Sequence, residues 1–329
     1  MKQVISYLRI KEWLPSKVIF MIGIFLLFCF YCNVEFEEAF IKTAAYFLYI
    51  SMFLAVSYVA NDFSDLEIDK RAGKKKVMAD MPKWMIWSSI IIMTAAGNIG
   101  VFICSHDKPL CAALIVVTYL SGLAYSTLGI RFKEHGIWGL IECSFAQRCM
   151  PLIMIPLLLK SDFILNVMLA GWMIVSFLVG IRYIIIHQVI DLENDIAAGV
   201  HTYVTKNRGN YRKLIIGLLM AEIVITCILL IPLWKNKTIL TSVFVLGNAG
   251  LEYCIYVVIQ KYANKDFFLT FDSVPMEAFY NTLFPVLAGV CVCSLDVRWV
   301  TVLLPLIVIC CKPFLVKTNI AAVYIKSKF

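Results

Sequence analysis

The sequence predicts an all-α polytopic membrane protein with about nine or ten transmembrane helices. Two properties of the 329-residue chain indicate this class: 61% of its residues are hydrophobic while only 16% are charged, and its mean hydropathy is +0.83. Soluble proteins average about 45–50% apolar and about 25% charged residues, so a soluble domain has too little interior to bury the excess. The composition therefore excludes a soluble enzyme, a disordered chain and a secreted disulfide scaffold.

Ten apolar runs approach the length that crosses a bilayer, which is about 20 mostly apolar residues. They cover residues 18–34, 40–60, 84–104, 109–130, 137–159, 163–187, 213–234, 238–260, 275–295 and 298–316. The first run is not a cleavable signal peptide, because no small-residue cleavage site follows it and further spans come after it. Only Asp296 and Val297 lie between the last two runs, and Arg298 begins the tenth, which leaves the predicted number at nine or ten.

The positive charges orient these predicted helices. With the N-terminus in the cytoplasm, 22 of the 30 Lys and Arg residues fall in cytoplasmic segments and six in segments on the other side, as the positive-inside rule requires. The net charge of +8 is therefore assigned to cytoplasmic loops, and no nucleic-acid partner is predicted. We expect a single domain over residues 1–329 in the cell (inner) membrane, surrounded by lipid and without an obligate protein partner.

An acidic cluster follows the second predicted span, in the segment 61–69 that reads NDFSDLEID. Asp62, Asp65 and Asp69 are spaced i, i+3 and i+7, so on a continuous helix they share one face. Like charges at this spacing repel one another, and a divalent cation would relieve the repulsion. Hard oxygen ligands suit Mg²⁺, which usually keeps several waters and bridges to substrate phosphates.

A second acidic cluster follows the sixth predicted span, in the segment 191–195 that reads DLEND. Asp191 and Asp195 are spaced i, i+4, and Tyr183 and His187 continue the same helical face into the membrane. Four crossings separate the two clusters, a spacing that favours an internal duplication. A single acidic loop is usually a solvated surface, but seven of the 22 acidic residues fall in these two short stretches. The pair therefore favours a functional site.

These motifs resemble those of the UbiA superfamily of intramembrane prenyltransferases. NDFSDLEID is similar to the family's NDxxDxxxD motif, and DLENDIAAGVHT is similar to its second motif, in which DxxxD is followed by Gly and Thr. The similarity covers about residues 5–235, and additional C-terminal spans occupy about 238–316. Two features depart from the family: residues 75–80 read KKVMAD where members often carry Arg-Pro and then Gly, and the chain has one predicted span beyond the usual nine.

The resemblance implies a ring of membrane helices around a central cavity that is open to the membrane and capped by cytoplasmic loops. It also implies Mg²⁺-dependent transfer of a prenyl group from a polyprenyl diphosphate, with Mn²⁺ as an alternative ion. The acceptor stays open between an aromatic ring, haem, a sugar phosphate and another lipid precursor. The implied metal ligands are Asp62, Asp65, Asp69, Asp191 and Asp195. The candidate diphosphate-binding residues are Asn61, Lys75, Lys76, Lys206, Arg208, Tyr125 and Arg148.

Catalytic roles are predicted for five residues. Asp65 and Asp191 would act through the metal ions that they hold. The ring of Tyr183 would stabilise the allyl cation by a cation–π interaction, and His187 would accept the proton that the acceptor loses. Arg182 lies nine residues before Asp191, which is about 13 Å along a helix, and would reach the cavity, since charges within spans are usually functional.

Two other classes of protein stay open at this point. A polytopic transporter would use paired acidic residues as an ion pathway, but its charges are expected near the bilayer midplane within broken helices, whereas these acids lie at span ends. Another lipid-linked transferase, such as a CDP-alcohol phosphotransferase, would need a DGxxAR string followed by GxxxD, which the chain lacks.

Overall fold

The computed structural model describes a bundle of helices, and it contains no strand within the residues that it describes. Those residues are 2–71, 76–127, 131–160, 162–197, 199, 202–207, 209–262, 265–269 and 274–326. The predicted all-α fold class is confirmed.

Helices of very different length alternate along the chain. In the first half they are α1 (Lys2–Tyr7), α2 (Ile10–Trp13), α3 (Ile19–Tyr31), α4 (Phe36–Ser64), α5 (Leu66–Arg71), α6 (Lys83–Cys104), α7 (Lys108–Ala124), α8 (Ile137–Ser144) and α9 (Ile155–Leu158). In the second half they are α10 (Phe163–Ile190), α11 (Leu192–Ala197), α12 (Tyr203–Lys206), α13 (Tyr211–Asn236), α14 (Thr238–Val257), α15 (Phe284–Cys293) and α16 (Val300–Lys326).

Four π-helical turns occur within the described residues, at Leu14–Val18, Phe145–Cys149, Val258–Tyr262 and Phe279–Leu283. The first joins α2 to α3, and the second follows α8 directly. Such turns are rare and frequently occur at functional sites.

The structure supports the predicted membrane map but makes the count of nine or ten spans approximate. Seven described helical segments are long and apolar enough to cross a membrane, and an eighth qualifies if the bent pair Val297–Lys312 and Phe314–Val323 is one span. The pair is bent by 47° at Pro313, which cannot donate a backbone hydrogen bond. The predicted runs 109–130 and 275–295 correspond to shorter apolar helices, Lys108–Ala124 and Phe279–Cys293.

Helix α3 lies inside the bundle and has no lipid-facing side. Every residue from Ile19 to Cys29 is buried, as expected for a helix that is apolar all round. Phe20 packs edge-on against Trp172 of α10 at 6.2 Å between ring centroids, and Tyr280 and Phe284 of the C-terminal part lie at 5.2 Å and 5.8 Å. The N-terminal and C-terminal parts of the chain therefore share one core, in which α3 contacts α4, α10 and α15.

Candidate functional site

The first acidic motif lies where α4 gives way to α5. The predicted continuous helical face is wrong in one respect: Asp65 has φ −99° and ψ 0°, and this turn separates the two helices. The backbone hydrogen-bond pattern nevertheless continues through the turn, from Asp65 N to Asn61 O at 3.1 Å and from Asp69 N to Asp65 O at 2.8 Å. The motif residues thus stay on neighbouring turns of a bent helix.

Cationic side chains neutralise the first motif. Asp62, which is 5% exposed, accepts hydrogen bonds from Lys76 Nζ at 2.8 Å and Arg9 Nη1 at 3.2 Å. Lys76 also lies 3.5 Å from Asp69 Oδ2. The repulsion that the sequence predicts for this cluster is therefore relieved by lysine and arginine side chains from separate segments.

The loop between α7 and α8 supplies the partners of Asp65. Lys133 Nζ lies 2.6 Å from both carboxylate oxygens, and Arg131 Nη2 donates to Oδ1 at 3.2 Å. Burial lowers the pKa of the Lys133 ammonium, and the hydrogen bond to Asp65 opposes that shift. Lys133 also donates to Asn61 Oδ1 at 3.2 Å, and this amide oxygen accepts a second hydrogen bond from Ser126 Oγ. Asn61 is thereby fixed beside Asp65.

The second acidic motif repeats the local geometry of the first. Helix α10 ends at Ile190, Asp191 occupies the turn with φ −85° and ψ 1°, and α11 follows. Asp191 N donates to His187 O at 3.1 Å, and Asp195 N donates to Asp191 O at 2.8 Å. Asp191 therefore corresponds to Asp65, and Asp195 to Asp69, which supports the internal duplication that the spacing of the motifs favours.

His187 and Asp191 form a hydrogen-bonded pair at the surface of the second motif. Nδ1 of His187 lies 2.8 Å from Asp191 Oδ2, and the two side chains are 63% and 41% exposed. Gln188, one residue further, accepts a hydrogen bond from Val204 N at 3.3 Å. This contact holds the segment after the second motif against the end of α10.

The loop from Arg131 to Gly136 lies close to both acidic motifs. Lys133 contacts Asp65 of the first motif, and a Cβ atom placed on Gly136 would lie 4.0 Å from Lys206, which follows the second. Both motifs therefore lie at the same end of the bundle. The predicted site residues Lys75 and Arg208 fall outside the described residues.

A cavity of about 200 Å³ opens beside the first motif. Its lining combines the N-terminal segment with the motif and the segment after it: Ser6, Tyr7, Arg9, Glu12, Asp62, Lys76, Val77 and Met78. Across the described residues, no three His, Cys, Asp or Glu side chains converge as a preformed metal site. The carboxylates of the first motif instead face the cations described above.

A partly buried cluster of polar side chains lies deeper in the bundle than the first acidic motif. Lys17 donates to Tyr58 Oη at 3.0 Å and also to Gln147 Oε1. Arg148, the next residue, is 3% exposed and lies 5.4 Å from the centre of the Tyr183 ring. Lys17 and Arg148 both come from π-helical turns, at Leu14–Val18 and Phe145–Cys149.

Arg182 pairs across helices with Glu222 of α13. Nη2 donates to Glu222 Oε1 at 2.5 Å and to Pro275 O at 3.0 Å, and both charged side chains are fully buried. Its guanidinium lies 5.5 Å from the Tyr183 ring. In the structure, Arg182 thus forms an ion pair with Glu222. Its approach to the cavity and its catalytic role stay predictions.

Lys317, the first residue after the last predicted run, is fully buried. Lys317 Nζ donates to Glu252 Oε1 at 2.6 Å and to Val274 O at 2.8 Å. The apolar residues that follow it in α16 extend the helix past the predicted end, and Glu252 compensates its charge.

Sequence reasoning assigned no site role to several residues that the structure places at or near the motifs. They are Arg9, Lys17, Arg131, Lys133, Gln147 and Glu222. Arg131 and Lys133 stand out as a basic pair between two spans, and this signal could have identified them. The partners of Arg9, Lys17 and Glu222 are 53, 41 and 40 residues away in sequence, so no local pattern marks them.

The fold and site define a class: a polytopic membrane enzyme that carries two acidic motifs at one end of a helical bundle. The model of the UbiA prenyltransferase family matches residues 20–283, so the chain belongs to the UbiA prenyltransferase family. Members of this family are prenyltransferases, and the chain is accordingly a prenyltransferase. It is an integral membrane protein.

Two solved structures share the fold. A UbiA homolog from Aeropyrum pernix K1, determined in its apo form, is 13% identical, with a TM-score of 0.56 over 84% of this chain and 97% of that chain. A UbiA homolog from Archaeoglobus fulgidus, bound to GPP and Mg²⁺, is also 13% identical, with a TM-score of 0.57 over 88% of this chain and 99% of that chain. No curated protein sequence matches the chain significantly.

Proposed function

We propose that this prenyltransferase moves a prenyl group from a polyprenyl diphosphate to an acceptor, in a reaction that requires Mg²⁺. The observation that carries the proposal is the repeated geometry of the two motifs, with Asp65 and Asp191 in equivalent turns at the same end of the bundle. The homolog from Archaeoglobus fulgidus, which binds GPP and Mg²⁺, supports the same donor and metal for this chain.

The donor atoms of the two motifs fit Mg²⁺, because carboxylate oxygens are the ligands that this ion prefers. Asp62, Asp65 and Asp69 would hold one ion, and Asp191 and Asp195 a second. Asn61 presents an amide oxygen beside Asp65, held there by Ser126 and Lys133. When bound, Mg²⁺ stabilises the negative charge of the departing diphosphate. Mn²⁺ accepts the same oxygen ligands and would serve as an alternative ion.

The cations that now neutralise the first motif would bind the diphosphate. Lys76, Lys133, Arg9 and Arg131 reach the carboxylates from three separate segments. Pairing of these side chains with phosphate oxygens would stabilise the charge that develops on the leaving group. Lys75, the neighbour of Lys76 in sequence, and Lys206 and Arg208, which follow the second motif in sequence, would be further members of this clamp.

The chemical step breaks the allylic C–O bond, and both electrons of that bond leave on the diphosphate oxygen. The positive charge left on the allylic carbon requires an electron-rich wall that excludes water. Tyr58 and Tyr183 provide ring faces that already attract cations, with Lys17 at 4.9 Å and Arg148 at 5.4 Å from the ring centres. Tyr125, beside the first motif, is a further candidate.

The acceptor then forms a bond to the allylic carbon and loses a proton. His187, whose Nδ1 lies 2.8 Å from Asp191 Oδ2, would accept it. Arg182 would act in this scheme through Tyr183, whose ring it contacts at 5.5 Å. The reaction would take place on the cytoplasmic side of the cell (inner) membrane, since the Lys and Arg distribution places the ends of α4 and α10 there.

The full chain would act as one domain of residues 1–329. One continuous cluster of buried residues runs from Trp13 to Cys310, and it joins the motif-bearing part, about residues 5–235, to the C-terminal helices. No separate soluble domain is needed for the proposed reaction.

Product analysis tests the proposal. Purified protein with Mg²⁺, labelled polyprenyl diphosphates and a panel of aromatic, sugar-phosphate and glycerol-phosphate acceptors is expected to yield a prenylated product identified by mass. Excess EDTA is expected to abolish product formation, and added Mg²⁺ to restore it. Full activity in excess EDTA would contradict the metal requirement, and uptake of diphosphate into proteoliposomes without any product would favour a transporter.

Gly139→Ala is expected to lower the transfer rate about 10-fold, because small displacements of positioning groups are costly. A Cβ atom at Gly139 would lie 2.6 Å from Phe132 O and 3.0 Å from Lys133 Cα, both backbone atoms. The loop that presents Lys133 to Asp65 would have to move. Gly217→Ala is the control, since nothing lies within 4 Å of its Cβ position. A wild-type rate for Gly139→Ala would show that the placement of Lys133 is unimportant.

A further inference from the structure

Lys317 is a fully buried lysine that joins three separate parts of the chain. Its Nζ lies 2.6 Å from Glu252 Oε1, and it donates to Val274 O at 2.8 Å. Helix α16 thereby contacts both α14 and the segment that precedes the π-helical turn Phe279–Leu283. Removing an ammonium and a carboxylate from water is unfavourable, and charges inside a membrane bundle usually have a function.

The segment Val274–Met276 is held by a second bond from the same carboxylate. Met276 N donates to Glu252 Oε1 at 3.0 Å, so one oxygen accepts from both the backbone and Lys317. Asn248, one helical turn earlier in α14, donates to Met276 Sδ at 3.3 Å. Met276 has φ +63°, a left-handed conformation that a residue with a side chain keeps only where its surroundings hold it. The polar contacts of α14 and α16 supply that constraint.

Arg182 of α10 contacts the same segment from a different helix. Its Nη2 donates to Pro275 O at 3.0 Å, and Glu222 of α13 is its carboxylate partner. A guanidinium is planar and its donors point in fixed directions, so two acceptors in fixed places define its orientation. The ring of Tyr183 lies 5.5 Å from this guanidinium. One of the two acceptors that orient Arg182 therefore depends on α14 and α16.

We propose that Lys317 and Glu252 are positioning residues for prenyl transfer, and that they act through Arg182. They fix the carbonyl of Pro275, this carbonyl orients the guanidinium, and the guanidinium supports the ring of Tyr183. The proposal rests on the proposed transferase function, in which that ring faces the allylic cation. Misplacement of such groups by about 1 Å lowers rates about 100-fold. The C-terminal helices thus contribute to the reaction without touching the substrate.

Substitution of Lys317 gives the first test. Lys317→Met is expected to lower kcat about 10-fold and to lower the Tm, because it leaves the carboxylate of Glu252 without its partner. KM for the prenyl diphosphate should stay at its wild-type value, since Lys76 and Lys133 keep their places beside the first motif. Lys326→Met, which removes an exposed lysine of the same helix, is the control and should behave as wild type.

A double variant distinguishes positioning from charge compensation. Lys317→Met with Glu252→Leu removes both charges, and apolar replacement of a buried ion pair is often neutral or stabilising. This double variant should therefore recover the Tm, but its kcat should stay low because neither bond to the segment is restored. Lys317→Arg, which keeps donors for both acceptors, should recover most of the kcat. A wild-type kcat in the double variant would overturn the proposal.

Combination with the Arg182 pair tests whether the effect runs through Arg182. Arg182→Met with Glu222→Leu removes the guanidinium that the segment orients. Adding Lys317→Met and Glu252→Leu to this protein should leave its kcat unchanged, whereas the same two changes lower the kcat of the wild type about 10-fold. Residues that share a partner show such non-additive effects. Equal fold-losses in the two backgrounds would overturn the proposal.

Thermal unfolding repeats this comparison without turnover. Arg182→Gln should lower the Tm less in the protein that carries Lys317→Met and Glu252→Leu than in the wild type, because the carbonyl of Pro275 is then no longer held in place for the guanidinium. Equal losses of Tm would overturn the proposal. Absence of product with every acceptor would count against the transferase function, while the Tm comparison still decides whether the two ion pairs are coupled.

Discussion

Asp65→Asn and Asp191→Asn are each expected to lower turnover at least about 100-fold, as the loss of a metal ligand or a charge-stabilising group does. Both residues occupy the turn between two helices, and each turn is closed by a backbone hydrogen bond to the residue four positions earlier. Asparagine keeps the size of the side chain but removes the negative charge. The fold should therefore persist while the proposed metal binding is lost.

The neighbouring acids are the matched controls for these variants. Glu67→Gln and Glu193→Gln each remove one negative charge from the same two segments, and both side chains are exposed. Their turnover should stay close to that of the wild type. Activity of Asp65→Asn or Asp191→Asn equal to that of these controls would show that the motif carboxylates are not part of the reaction.

Arg182→Gln is expected to lower the free energy of unfolding by about 3–5 kcal/mol, because it leaves the carboxylate of Glu222 buried without its partner. Both members of the pair are fully buried, and Arg182 also donates to Pro275 O. The change can be followed as Tm in detergent micelles. The control is Arg298→Gln, whose ion pairs with Asp296 and Glu37 are exposed, so its Tm should stay close to that of the wild type.

A double variant separates the two possible uses of Arg182. Arg182→Met with Glu222→Leu replaces the ion pair by apolar side chains of similar size, and such replacements are often neutral or stabilising. A stable and active double variant would assign Arg182 a purely structural role. A stable but inactive one would support the catalytic role that the sequence predicts, and an unstable double variant would contradict the ion-pair account of stability.

The sequence predicted those parts of the site that depend on local spacing. Apolar runs located the helices and placed both motifs at helix ends, where α4 and α10 end in the structure. The turn at Asp65 was not predicted, because a break that preserves the i to i−4 hydrogen bonds leaves no mark in the residue pattern. The composition of α3 does predict its burial, since the helix has no polar face.

The partners of the motif acids depend on contacts across the fold and could not be predicted. Lys133 reaches Asp65 across 68 residues and Arg9 reaches Asp62 across 53. Lys317 could not be placed either, because only the packing of α16 against α14 reveals that Glu252 compensates its charge.

The most direct test of the central claim is a structure determined with Mn²⁺ and a non-hydrolysable prenyl diphosphate analogue, with the metal located by its anomalous signal. The account predicts Mn²⁺ against Asp62, Asp65 and Asp69 and against Asp191 and Asp195, with the diphosphate between the two motifs and Lys133 moved from Asp65 to a phosphate oxygen. Metal or diphosphate bound elsewhere, with Asp65 still paired with Lys133 and Arg131, would contradict it.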